Sequence, residues 1–220
     1  MANSKKVLEK TEAFAREKLA GDGSGHDWWH VVRVVNNAKA IAQKEGGDLF
    51  VVELGALLHD IADWKFHDGD TTVGPKVTRE WLASLDVDSA IIEQVAYIVA
   101  HISFRGGTNK HIMKTLEGKI VQDADRLDAV GAIGIARAFA FGGAANREMY
   151  NPEVSPKDYN SFASFRNAIT DNTTINHFYE KLLLLKDKMN TKTGKELATE
   201  RHEFMEQYLE RFYAEWEGKK

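Results

Sequence analysis

At 220 residues the chain is long enough to bury a substantial core as one domain, or as one domain with a small lobe. Hydrophobic residues at 43% and charged residues at 28% fit a globular protein, and a formal charge of −4 without a Lys/Arg cluster excludes an electrostatic footing on a nucleic acid polymer. With no cysteine, disulfides and thiolate metal sites are excluded, so any metal must be held by imidazole and carboxylate.

Only three prolines occur, and apolar residues recur mostly at helical spacing, with little period-two alternation. The pattern predicts an all-α fold of about ten helices in a single domain spanning 1–220. No 18-residue apolar run is present and the N-terminus is polar, so neither a membrane span nor a signal peptide is expected. The lack of cysteine suits a reducing compartment, and a cytoplasmic location is the expectation.

The first predicted helix runs from Ser4 to about Ala20, with Val7, Leu8, Phe14 and Ala15 inward. The glycine cluster Gly21-Asp22-Gly23-Ser24-Gly25 ends it. Asp27 suits an N-cap for a helix beginning at Trp28, whose stripe is Val31, Val34, Val35, Ala38, Ile41 and Ala42. His30 lies beside that stripe, as a core histidine or a ligand. Gly46-Gly47 stops the helix and Asp48 caps the next one.

That next helix, Leu54-Gly55-Ala56-Leu57-Leu58-His59-Asp60-Ile61-Ala62-Asp63, is the stretch the chain is organised around. It is apolar on nearly every side, which marks burial, and then ends in an imidazole and two carboxylates. Helical spacing lets His59, Asp60 and Asp63 share one helix end. Burying such groups unpaired costs about 2–7 kcal/mol each. Either a divalent cation neutralises them or the helix surfaces there. The following segment, Trp64 to Asp70, reads as a loop in which Lys65 or His67 could face a ligand.

Helices follow over Val73–Leu85 and from Ser89 to about Ser103, the second bringing His101 to its end. Arg105-Gly106-Gly107-Thr108-Asn109-Lys110 is a basic, glycine-bearing turn whose amides and charges could hold an anion. In the run Lys119 to Ala129, Val121, Ala124 and Asp125 fall on one side of a helix, so another carboxylate sits in an apolar face. Gly142 to Pro156 reads as a loop and a candidate lid. Two closing helices complete the chain. Phe178, Leu182, Leu185 and Met189 pack inward on the first, with His177 and Lys181 on another side, in reach of a phosphate or solvated. Thr193 with Glu196 forms a capping box for the second, which buries Leu197, Phe204, Met205, Tyr208, Phe212 and Trp216.

Three segments combine in a recognisable order. Gly25-His26-Asp27-Trp28-Trp29-His30-Val31-Val32-Arg33-Val34, Leu57-Leu58-His59-Asp60-Ile61-Ala62-Asp63 and Asp123-Ala124-Asp125-Arg126-Leu127-Asp128-Ala129 resemble the signature of the HD-domain metal-dependent phosphohydrolase superfamily: a His, an adjacent His-Asp pair and a later Asp. The Phe139–Asn151 segment and the stretch from Ile175 to Arg201 resemble one branch, the small bacterial HD hydrolases that include nucleoside triphosphate pyrophosphohydrolases. Asp63 is followed by Trp64, unlike the tandem acidic pair of the guanosine tetraphosphate hydrolases. The Gly-Tyr-Pro element of the cyclic-dinucleotide branch is absent.

The resemblance implies a catalytic core of about 24–135 followed by packing helices over about 160–217. It implies metal ligands at His30, His59, Asp60 and Asp125, with His26 and Asp123 as competitors for the first and last places. That donor set suits one divalent ion, Mn, Fe, Co, Ni or Mg, with positions left for water and a phosphate oxygen. Asp63 is implied as general base, or as a group orienting a ligand imidazole. His101 is expected to donate a hydrogen bond in catalysis, and Lys65, Arg105 and Lys110 to offset substrate phosphates. The expected reaction splits a nucleoside triphosphate into monophosphate and pyrophosphate. Two alternatives are a phosphatase on nucleoside monophosphates or small phosphoesters, and a non-catalytic metal- and nucleotide-binding module.

Overall fold

The fold is taken from a computed structural model, which describes residues 2–19, 27–61, 70–102, 112–157 and 172–220. Those residues form nine α-helices and two short 3-10 turns, with no strand among them. The helices are α1 (Ala2–Lys18), α2 (Trp28–Glu45), α3 (Leu49–Leu58), α4 (Val73–Ser84), α5 (Ser89–His101), α6 (Leu116–Asp128), α7 (Gly131–Ala144), α8 (Thr174–Glu180) and α9 (Lys192–Trp216). The 3-10 turns, Leu182–Leu184 and Lys186–Lys188, lie between α8 and α9. None of these helices is both long and apolar enough to cross a membrane alone. The described residues fall into two compact units, one ending at Asp125 and the other beginning at Arg126.

The first unit is built round α3. Asp48 starts that helix by accepting from the backbone amides of Phe50 (2.9 Å) and Val51 (3.4 Å). Val51, Val52, Leu54, Ala56, Leu57 and Leu58 are all buried, which fits a helix apolar on every side. Each of the Val and Leu side chains contributes about 1.5–3 kcal/mol when fully buried. Gly55 lets its neighbours close in: a Cβ there would stand 3.3 Å from both Ile98 Cδ1 of α5 and Val121 Cγ2 of α6. Gly46 and Gly47, at φ of 86° and 91°, turn the chain sharply between α2 and α3. The Asp48 amide donates to Glu117 Oε1 at 3.0 Å, tying the start of α3 to the first turn of α6. α1 is held to α4 by Phe14 stacked on Trp81 at 4.0 Å and by Trp81 Nε1 donating to Thr11 Oγ1 at 3.0 Å.

In the second unit several sequence expectations change. Phe178, Leu182, Leu185 and Met189 are buried as expected, but on α8 and the two 3-10 turns instead of one helix. The break is at Lys181, whose φ of −142° and ψ of −57° leave the helical region. α9 is capped by Thr191, whose hydroxyl accepts from Gly194 N at 2.9 Å; Thr193 is already inside the helix. Glu196 therefore closes no capping box and lies 3.8 Å from Lys192 Nζ. Phe204 and Trp216 are each 49% exposed, so the buried face of α9 is carried by Ala198, His202, Met205 and Leu209. Gly142 belongs to α7, where an added Cβ would collide with Thr174 Oγ1. The segment after α7 is pinned to the start of α8 through Thr174 N to Glu148 O (2.9 Å) and Ile175 N to Met149 O (3.1 Å).

Candidate metal centre

His30 sits in the first turn of α2. Asp27, extended at φ −77° and ψ 172°, caps that turn by accepting from the His30 amide at 3.0 Å. The cap fixes where the helix begins and hence which way residue 30 faces. The His30 side chain is almost wholly buried.

α3 stops at Leu58, earlier than the sequence pattern suggested. His59 is its C-cap, and the Ile61 amide donates to Leu58 O at 3.2 Å in a tighter turn. The last carbonyls of a helix lack intrahelical partners. One of them, Ala56 O, accepts from His59 Nδ1 at 2.8 Å. The bond makes Nδ1 the protonated nitrogen of the neutral ring and leaves the lone pair on Nε2.

Four donor atoms then converge. His30 Nε2 lies 3.2 Å from His59 Nε2, 3.5 Å from Asp60 Oδ2 and 3.5 Å from Asp125 Oδ1. His59 Nε2 lies 3.4 Å from Asp60 Oδ2 and 3.9 Å from Asp125 Oδ1. Donor atoms of His30, His59 and Asp60 all fall within 4.8 Å of one another, so these three could hold a metal ion. Ligand bonds of about 2.0–2.2 Å put adjacent donors about 3.0 Å apart in an octahedron and about 3.4 Å apart in a tetrahedron. The spacings of 3.2–3.5 Å are close to that requirement and the His59–Asp125 spacing of 3.9 Å is longer; imidazole and carboxylate donors suit a divalent cation.

Burial pushes the His59 imidazole pKa down, but the charge and hydrogen bond of Asp60, with the charge of Asp125, outweigh it and leave it above its usual 6.5. Burial pushes the Asp125 carboxyl up, but the hydrogen bond from His30 and the charges of both imidazoles hold it far below the usual carboxylate range. Asp60 opposes both effects on Asp125.

Of the other expected residues, Asp123 is fully buried on α6 two positions before Asp125, about 200° round the helix from it. His101 ends α5 half-buried, with Nδ1 donating to Tyr97 O at 2.8 Å. In the neutral ring its Nε2 is therefore an acceptor, so the expected donor role requires the imidazolium. Asp63, Lys65, Arg105 and Lys110, with the competitor His26, lie outside the described residues. Sequence reasoning missed Gln122, a buried amide whose Nε2 donates to the carbonyls of His101 (3.3 Å) and Ile102 (3.2 Å) and so holds the end of α5 against α6. Its signal was an amide between Val121 and Asp123 in an otherwise buried stretch. Also missed was the pair Arg137 Nη1 to Asp128 Oδ2 at 2.9 Å, part-buried on the Arg137 side, in which Arg137 also donates to Asp128 O at 3.2 Å.

Comparison with known proteins gives the family. The HD domain family model matches residues 28–130, a span that contains His30, His59, Asp60 and Asp125. YpgQ of Bacillus subtilis is 42% identical over 208 residues, covering 93% of this chain and 91% of YpgQ. The crystal structure of YpgQ in complex with ADP is similar with a TM-score of 0.77 at 36% identity, over 97% of this chain and 96% of that one. A Lactobacillus plantarum crystal structure is similar with a TM-score of 0.84 at 36% identity, over 96% and 97% of the two chains. An HD-superfamily hydrolase from Bacillus thuringiensis gives a TM-score of 0.76 at 42% identity, over 97% and 98%.

Proposed function

The chain belongs to the HD-domain superfamily of hydrolases, and from that premise we propose that it is a metal-dependent phosphohydrolase that splits a nucleoside triphosphate into monophosphate and pyrophosphate. The observation that carries this reading is the convergence of donor atoms of His30, His59 and Asp60 within 4.8 Å of one another, with Asp125 Oδ1 3.5 and 3.9 Å from the two imidazole nitrogens. His30, His59, Asp60 and Asp125 would hold one divalent ion, Mn, Fe, Co, Ni or Mg. Such an ion supplies Lewis-acid activation of water and of a phosphoryl group.

The chain's own residues do the rest. Asp60 and Asp125 bring two negative charges that balance a divalent cation. The Nδ1 bond of His59 to Ala56 O keeps its Nε2 aimed at the other donors. Asp63, four residues after His59, is assigned as the proton acceptor, and Lys65, Arg105 and Lys110 as the groups that offset phosphate charge. His101, with Nδ1 committed to Tyr97 O, can take a proton at Nε2 and then donate it. The nucleotide class is supported by the relative YpgQ, whose crystal structure is a complex with ADP.

A malachite-green assay across nucleotides with each divalent metal, with and without added pyrophosphatase, tests the reaction. Phosphate that appears only with pyrophosphatase is the expected result. Direct phosphate release from monophosphates overturns it in favour of a phosphatase. Silence with every metal and substrate, alongside tight nucleotide binding, overturns it in favour of a binding module.

A further inference from the structure

α5 ends at His101, with the buried Ile102 as its C-cap. The last carbonyls of a helix have no partners within it. Here a side chain of another helix meets them: Gln122 Nε2 of α6 donates to His101 O at 3.3 Å and to Ile102 O at 3.2 Å. Two carbonyl acceptors require the NH₂ end of the amide, which carries one hydrogen for each. Gln122 is 5% exposed, so little water is at hand to replace these bonds.

The residue type fits the place. The end of a helix favours a cation, but a cation at position 122 would stand one turn from Asp125, whose Oδ1 lies 3.5 Å from His30 Nε2. An amide satisfies both carbonyls and adds no charge beside donors that suit a divalent ion. Gln122 and Asp125 are three residues apart on α6, about 60° round the helix from one another. The same part of α6 therefore reaches the metal centre through Asp125 and the end of α5 through Gln122.

The His101 ring depends on that helix end. Its Nδ1 donates to Tyr97 O at 2.8 Å, and its ring lies 4.5 Å from the Tyr97 ring at 40°. Tyr97 is one turn back, so both contacts last only while the final turn of α5 stays helical. The Tyr97 hydroxyl accepts from the Lys114 amide at 3.2 Å, which ties the same turn to the segment leading into α6.

We propose that Gln122 is a positioning residue: by closing the end of α5 it holds the His101 ring in one orientation and one tautomer against the helix that carries Asp125. Its hold on the ring stands on these contacts alone. Its effect on rate rests on the reading of His101 as a proton donor, since a displaced reacting group costs up to about 10²-fold.

The test uses the full chain, metal-free and at alkaline pH, with ¹⁵N-labelled histidine and the His101 ring assigned through His101→Gln. In the wild type Nδ1 is expected to be pyrrole-like and Nε2 pyridine-like. Gln122→Met keeps the length and removes the donors. A released ring is free to take the other tautomer, so both shifts are expected to move toward an average. In turnover of nucleoside triphosphates, Gln122→Met is expected to lower kcat about 10–100-fold with KM unchanged. The double variant with His101→Gln is expected to be no slower than His101→Gln alone. An unmoved tautomer in Gln122→Met that circular dichroism shows to be folded overturns the proposal, as do kinetic losses that multiply in the double variant. Should Gln122→Met fail to fold, the wild type decides: slow exchange of the Gln122 Nε2 protons supports the hold on α5, and rapid exchange with solvent overturns it. A His101 tautomer that depends on Gln122 in a protein that turns over no nucleotide removes the phosphohydrolase reading and leaves the positioning in place.

Discussion

Two imidazole nitrogens stand 3.2 Å apart beside the carboxylates of Asp60 and Asp125, and on the proposed reading that negative charge balances a divalent cation. Asp60→Ala is therefore expected to lose both metal and turnover, with elemental analysis of the dialysed protein as the check. An Asp60→Ala protein that is metal-free and fully active would end the mechanism. Asp63→Ala is expected to keep its metal and lose about 10²–10⁴-fold in rate, which separates a proton acceptor from a ligand. A third expectation concerns pH. Below the raised pKa of His59 its ring is protonated and must release that proton to take an ion. Metal affinity should thus weaken as pH falls below that value. Calorimetry in buffers of differing ionisation enthalpy should record proton release there and little above it. The residue types of the site were legible in the sequence because His59, Asp60 and Asp125 are polar in apolar helices. The preference for Asp125 over Asp123 came from its place directly before Arg126-Leu127 in the family motif, whereas the His59 tautomer turns on a carbonyl left bare where α3 ends, which residue spacing does not show.

Elements explain the remaining successes and misses. The inward run Phe178, Leu182, Leu185 and Met189 was readable because spacings of three and four keep side chains together. The same spacing cannot distinguish an α-helix from a short helix followed by 3-10 turns, so the break at Lys181 was not readable. Two threonines two positions apart, Thr191 and Thr193, both suit an N-cap, and only the extended backbone at Thr191 decides between them. Thr191→Ala should cost about 1 kcal/mol in chemical denaturation, whereas Thr193→Ala removes no cap. Gly131 stands at φ 74°, with a hypothetical Cβ 3.0 Å from Arg201 Cβ and Cγ. Gly131→Ala should destabilise by more than about 1 kcal/mol. His177 gives α8 a pH signature. Its folded pKa of about 3 lies below the usual 6.5, so the unfolded chain binds the proton more readily between those values. Stability should fall as pH drops through that window. Thermal melts of the wild type and His177→Gln should show the dependence reduced in the variant.

At the scale of the molecule, metal and stability are linked. An ion that binds only the folded chain at a hundred times its Kd adds about 2.7 kcal/mol. For chains of this size each kcal/mol moves Tm by about 2–4 °C. Chelation should therefore lower the melting temperature of the wild type by several degrees and leave Asp60→Ala unmoved, as calorimetric scans would show. The all-helical architecture followed from the rarity of proline and the 3.6-residue periodicity. The division of the described residues between Asp125 and Arg126 had no counterpart in composition, because it falls inside the continuous helix α6.

The ring of His59 also carries its own internal standard. Its Nδ1 is committed to the Ala56 carbonyl at 2.8 Å, while its Nε2 faces the other donors. In ¹⁵N spectra the first nitrogen should hold a pyrrole-like shift throughout a titration, and the second should move as a cation arrives. Occupancy could then be read from the difference between two atoms of one side chain, without any substrate present.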